Sequence, residues 1–117
     1  MIKFYGYNNC DTCRKAKKWL TAQGVEFDDI DITEKPPAKA TLKKIIKGDR
    51  YLLKDLFNKS GMLYREMKIK DKLPGMSESE AIDLLAKHGK MVKRPIVTDG
   101  DSHTVGFKED VFSEIWG

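Results

Sequence analysis

In the stretch "YGYNNCDTCRKAKKW", Cys10 and Cys13 stand three residues apart, where an alternating, strand-like segment gives way to a helical one. Such a pair can be a nucleophile with its resolving thiol, half of a metal site, or two small packing residues. A cysteine at a helix start meets unpaired backbone N–H groups and the positive end of the helix dipole, and both stabilise a thiolate. A free thiol titrates near about 8.5, and such sites lower it to roughly 3.5–7.5. Cys10 is therefore the expected nucleophile. Cys13, one turn later on the same side, is within reach to resolve a mixed disulfide, and a redox-active Cys10–Cys13 disulfide is the expected product. Cys13 also falls on an apolar stripe with Ala16 and Leu20, beside Trp19, so packing is its alternative role. A zinc site would need two more ligands, and His88 and His103 are separated by far more than the usual paired-histidine spacing. No metal is expected, and both histidines read as surface residues.

Four cations follow the pair: Arg14, Lys15, Lys17 and Lys18. Cations at a helix start oppose the dipole by about 0.3–1 kcal/mol each, so stability does not ask for them. The three lysines read as a solvated face. Arg14, next to Cys13, is a candidate for binding an anionic substrate.

The elements that would hold these residues can be read along the chain. "IKFYGY" alternates as a strand with Ile2 and Phe4 on its buried face and Lys3 and Tyr5 on the other. A helix from about Asp11 to Gln23 stops at Gly24, and Val25, Phe27, Ile30 and Ile32 mark a second strand. A connection this short and right-handed makes the two strands parallel. Pro36 and Pro37 suit the first turn of a helix running to about Lys47 and ended by Gly48. "YLLKDLF" places Leu52, Leu53, Leu56 and Phe57 at helical spacing. "SESEAIDLLAKHG" supplies Ser77 as N-cap, Glu80 three residues on, and Gly89 as a stop. "RPIVTDGDSHTVGF" reads as a hairpin turning at Asp99–Gly100, and "KEDVFSEIW" as a closing helix.

Strand, helix, strand, several helices, hairpin, helix is the thioredoxin-like arrangement: an α/β fold with a mixed four-stranded sheet and a helical insertion between its halves. One such domain, residues 1–117 with the insertion at about 36–90, is what a chain of 117 residues accommodates. In that sheet a proline, often cis, precedes the third strand and brings backbone close to the nucleophile. Pro95 in "VKRPIV" occupies the place, and Arg94 arrives with it. A guanidinium there could pair with the thiolate or fork onto an oxyanion.

The 22 basic and 18 acidic residues are spread without long runs of one sign, which fits a solvated surface better than a nucleic-acid face. No direct nucleic-acid binding is expected. No apolar run is long enough for a membrane span, and the first residues do not read as a secretory signal, so a cytoplasmic location is expected. In that reducing compartment a permanent structural bridge would be unusual, which favours reactivity.

Together, "CDTCRKAKKWL", "VKRPIV" and "VGFKEDVF" resemble the arsenate reductase/Spx family of thioredoxin-like proteins, over the whole chain. The resemblance implies that Cys10 is the redox-active nucleophile and Arg94 the arginine that stabilises an anion or thiolate. Glutaredoxin-coupled arsenate reductases of the family have serine at the position of Cys13, whereas Spx-type proteins often have the C-x-x-C-R pattern found here. The reductases also carry a histidine where this chain has Gly6, and further arginines where it offers Asn58, Lys59, Arg65 and Lys108. The implied activity is a thiol-dependent oxidoreductase acting on an oxyanion or a disulfide. It would have no bound cofactor, and would draw electrons from glutathione, glutaredoxin or another thiol. The alternative is a redox-sensing regulator of the Spx type that binds RNA polymerase.

Overall fold

In a computed structural model, which describes residues 2–48 and 50–117, the chain builds one sheet and six α-helices among the described residues. Strands β1 (Ile2–Gly6), β2 (Phe27–Asp31), β3 (Ile96–Thr98) and β4 (His103–Val105) lie in the order β2-β1-β3-β4. β1 pairs with β2 in parallel and with β3 antiparallel, and β3 pairs antiparallel with β4. This is the mixed thioredoxin-like sheet.

Helix α1 (Asp11–Ala22) crosses from β1 to β2. Its stripe of Cys13, Ala16 and Leu20 is fully buried, in one cluster with Phe4, Val97, Phe112 and Trp116. Gln23 caps the helix, and Gly24 follows at φ +72°, a left-handed conformation that glycine reaches without a Cβ clash. Helix α6 (Glu109–Ile115) contributes Phe112, which meets Trp19 and Phe107 edge to face at 5.5 and 4.7 Å. The Trp116 indole donates to Thr104 Oγ1 at 3.0 Å, so its buried N–H is satisfied.

Met1–Asp31 and Arg94–Gly117 form one compact unit, and Ile32–Lys93 a second. The second holds α2 (Lys39–Lys47), α3 (Met62–Glu66), α4 (Ile69–Lys72) and α5 (Glu78–Lys87) around Leu42, Ile45, Leu56, Ile69, Ile82 and Leu85. Ser77 caps α5 as expected, its Oγ accepting the Glu80 N–H at 3.1 Å and donating to the Glu80 carboxylate at 3.2 Å. Phe57 and Val92 form an isolated antiparallel bridge, extended by Lys93 N–H to Leu56 C=O at 2.8 Å. No helix among the described residues is long and apolar enough to cross a membrane.

Several local expectations are corrected. Tyr5 is buried like Phe4 in a strand that lies between β2 and β3, while Lys3, on the same face as Tyr5, is exposed. Val25 and Ile32 fall outside β2. Pro36 and Pro37 precede the Ala38 N-cap of α2 instead of forming its first turn. Of "YLLKDLF", only Leu53–Leu56 is helical, as a 3₁₀ turn; Phe57 has left it for the bridge, and Leu52 is 60% exposed. α5 stops before Gly89 as expected, with His88 as its C-cap, and Gly89 also begins another 3₁₀ turn.

Candidate active site

The segment between β1 and α1 is a single tight turn in which Cys10 N–H donates to Tyr7 C=O at 3.1 Å. Cys10 is the N-cap of α1, and its Sγ accepts the Cys13 N–H at 3.3 Å. A sulfur thus takes the place that serine or aspartate oxygen usually fills, at the end of a 12-residue helix whose dipole favours negative charge there. Cys10 is half-buried and Cys13 wholly buried, and both are free thiols.

Cys13 is pushed up to about 12 from an ordinary 9.0, first by burial and then by its hydrogen bond to Cys10. A backbone hydrogen bond from Tyr7 and the charge of Arg94 pull the other way and are outweighed. Cys13 therefore stays a neutral thiol at any ordinary pH. The apolar-stripe place foreseen for Cys13 is observed, with its sulfur in the core and its backbone N–H on the Cys10 sulfur.

Arg94 is half-buried, with its guanidinium carbon 5.4 Å from the centre of the Tyr7 ring. The Arg94–Pro95 bond is cis. Pro95 is buried, and its carbonyl accepts the Gly106 N–H at 2.9 Å. Tyr7 was not singled out in the sequence, yet its carbonyl, backbone hydrogen bond and ring touch Cys10, Cys13 and Arg94 in turn. Its place three residues before Cys10, inside the loop, is the only signal the sequence carries for it. Because the resemblance assigns Arg94 to the nucleophile, Arg94→Ala is expected to slow alkylation of Cys10 at pH 7 about fivefold, the effect of one charge partly screened by water. It should change stability by no more than about 1 kcal/mol, the scale of a half-exposed cation–π contact. An unchanged alkylation rate would remove Arg94 from the site.

Arg14 is turned to its own helix: its guanidinium pairs with Asp11 and donates to Asn8 C=O at 3.4 Å. That guanidinium holds the exposed Asp11 carboxyl below the usual carboxylate range. Lys17 departs from the solvated face foreseen for it, with Nζ 2.5 Å from Asp29 Oδ2 and 5.4 Å from the centre of the Phe4 ring. Lys15 and Lys18 are exposed. Lys108 is exposed at the N-cap of α6. Asn58 and Lys59 line an open cleft of about 240 Å³ in the second unit, with Asp55, Phe57, Ser60 and Lys93, and Arg65 donates to Ser60 C=O at 3.1 Å.

The sequence model of the ArsC family matches residues 5–115. The protein YusI of Bacillus subtilis (strain 168), itself uncharacterized, is 52% identical over 115 residues, covering 98% of each chain. The global transcriptional regulator Spx of Streptococcus pyogenes serotype M1 is 28% identical over 110 residues, covering 94% of this chain and 81% of its own. The crystal structure of a possible arsenate reductase from Streptococcus mutans UA159 superposes with a TM-score of 0.87 at 37% identity, over 95% of this chain and 97% of that one.

Proposed function

The chain belongs to the ArsC family, and from its site we propose that it is a thiol-dependent oxidoreductase with Cys10 as nucleophile and Cys13 as resolving thiol. The observation that carries the reading is the Cys10 sulfur at the head of α1, accepting the backbone N–H of a buried, neutral Cys13. A disulfide substrate would be opened by the Cys10 thiolate, with release of one thiolate and formation of a mixed disulfide on Cys10. Cys13 then attacks the Cys10 sulfur. One S–S bond breaks, the Cys10–Cys13 bond forms, and the Cys13 proton leaves on the second thiolate. With an oxyanion such as arsenate, Cys10 displaces a hydroxide to form an S–As bond. Attack by Cys13 on the Cys10 sulfur leaves that bonding pair on arsenic, which departs as arsenite. Two external thiols, from glutathione, glutaredoxin or another donor, return the bridge to the dithiol.

Arg94 is the residue we assign to the anion, with Pro95 setting the backbone that delivers it. Arg14 contributes at the margin, since Asp11 already takes part of its guanidinium. A dithiol kept ready for attack suits the cytoplasm. The likeness to Spx favours a second reading, in which the pair is a redox switch on a surface that binds RNA polymerase and there is no turnover. A thiol-coupled assay separates the two. Turnover of arsenate, another oxyanion or a glutathione mixed disulfide above the Cys10→Ser background supports the enzyme. A bridge that forms with no turnover on any of them, and alters polymerase binding, supports the switch.

A further inference from the structure

Gly6, the last residue of β1, carries no side chain where one would have nowhere to go. A Cβ built on it would lie 2.5 Å from Phe4 Cε1 and 3.3 Å from Cys13 Sγ. Both neighbours are fully buried members of one cluster. The Phe4 ring is held against Phe27 at 5.3 Å, and Cys13 is held by Ala16, Leu20, Val97 and Phe112 around it. The backbone does not ask for glycine here: Gly6 is a paired strand residue opposite Asp31 and is absent from the glycines with positive φ. The reason for glycine is the volume that Phe4 and the Cys13 sulfur occupy.

We propose that Gly6 is a positioning residue for the resolving thiol: its missing side chain lets the Cys13 sulfur sit in the core within reach of Cys10, and a larger residue hands resolution to external thiols. The inference rests on the dithiol reading above. Attack by Cys13 needs its sulfur in line with the bond being broken, and small misplacements are costly in such steps.

The test uses Gly6→Ala in a Phe4→Leu background, which removes the 2.5 Å contact with the Phe4 ring edge and leaves the tight 3.3 Å contact with the Cys13 sulfur, with Phe4→Leu alone as reference. On a Cys10→Ser chain, alkylation of Cys13 at fixed pH should be at least about fivefold faster with alanine at position 6, since a sulfur pushed aside by the methyl group is less closely enclosed. With both cysteines present in a glutathione buffer, the ratio of Cys10–glutathione mixed disulfide to Cys10–Cys13 bridge should rise about tenfold. Loss of stability alone would not move that ratio between two folded proteins. Equal alkylation rates and equal ratios in the two backgrounds overturn the role of Gly6. A wild type that never closes the bridge, with Cys13 alkylation still responding to position 6, overturns the dithiol reading instead.

Discussion

Mild oxidation of the protein is expected to remove two hydrogens and join Cys10 to Cys13, and Cys10→Ser is expected to abolish both the bridge and thiol-dependent reaction. Loss of the nucleophile should lower turnover to background, about a thousandfold or more, since residues that act as a unit fail together. Cys13→Ser should behave differently. Cys10 stays reactive, the bridge cannot form, and a mixed disulfide with glutathione accumulates until another thiol removes it. Alkylation of the reduced wild type near neutral pH should label Cys10 alone, because Cys13 is buried and pushed up to about 12. The same shift gives a signed pH dependence. Folding favours the protonated Cys13, so its contribution to stability is full below the unfolded value of 9.0 and is lost as pH rises toward about 12. Urea midpoints measured across that window should decline more steeply for wild type than for Cys13→Ser. Mass spectrometry decides the chemistry: two free or separately oxidised thiols after oxidation would end the dithiol mechanism.

Gly89→Ala is the substitution expected to damage the fold most. A methyl group there would lie 1.8 Å from Ile32 O, 2.7 Å from Ile32 C and 3.1 Å from Thr33 Cα. These are backbone atoms, which cannot rotate aside as a side chain would. Gly89 is buried and opens a 3₁₀ turn whose end, Met91, supplies the carbonyl that accepts the Asn58 N–H at 2.7 Å. Overpacking against backbone should cost more than about 3 kcal/mol, and lower the melting midpoint by roughly 10 °C or more in a chain of this size. Gly75→Ala is the matched control, since nothing lies within 4 Å of its added methyl. It should stay within about 1 kcal/mol of wild type. Equal melting of the two variants would show that the chain can separate at Ile32–Gly89 without loss.

What could be read from the sequence was whatever a local period or a local turn encodes. The stripe on α1, the Ser77–Glu80 cap, the stop at Gly24 and the hairpin at Asp99–Gly100 are all written within a few residues of where they act. The errors came where distant chain decides. Tyr5 alternates correctly for a sheet with one wet face, but in the central strand β1 it is buried while Lys3 on the same face stays exposed. The leucines at 52, 53 and 56 keep helical spacing, yet Phe57 is drawn into a bridge with Val92, some 35 residues on. Gly89 follows the end of α5 as the sequence suggested, but it is also a close approach to Ile32, and nothing near it in sequence signals that. Of the candidate site, the place of Cys10 at the head of α1 and of Arg94 just before β3 was legible from the sequence. Tyr7 and Gly6 were not, since their roles rest on a ring and on an empty volume.

Under the proposed dithiol chemistry, the burial of Cys13 also makes the core an electrochemical component. A sulfur that packs with Phe4 and Phe112 in the reduced protein must be drawn toward Cys10 when the bridge closes, so folding and redox equilibria share one thermodynamic cycle. Whatever stability the bridge adds to the folded chain appears as a lower reduction potential than the same pair has in the unfolded chain, by about 30 mV for each 1.4 kcal/mol. Core substitutions around Cys13, such as Val97→Ala, thereby become a way to tune the potential without touching either cysteine, and the difference in unfolding free energy between the oxidised and reduced forms becomes a voltmeter for the site.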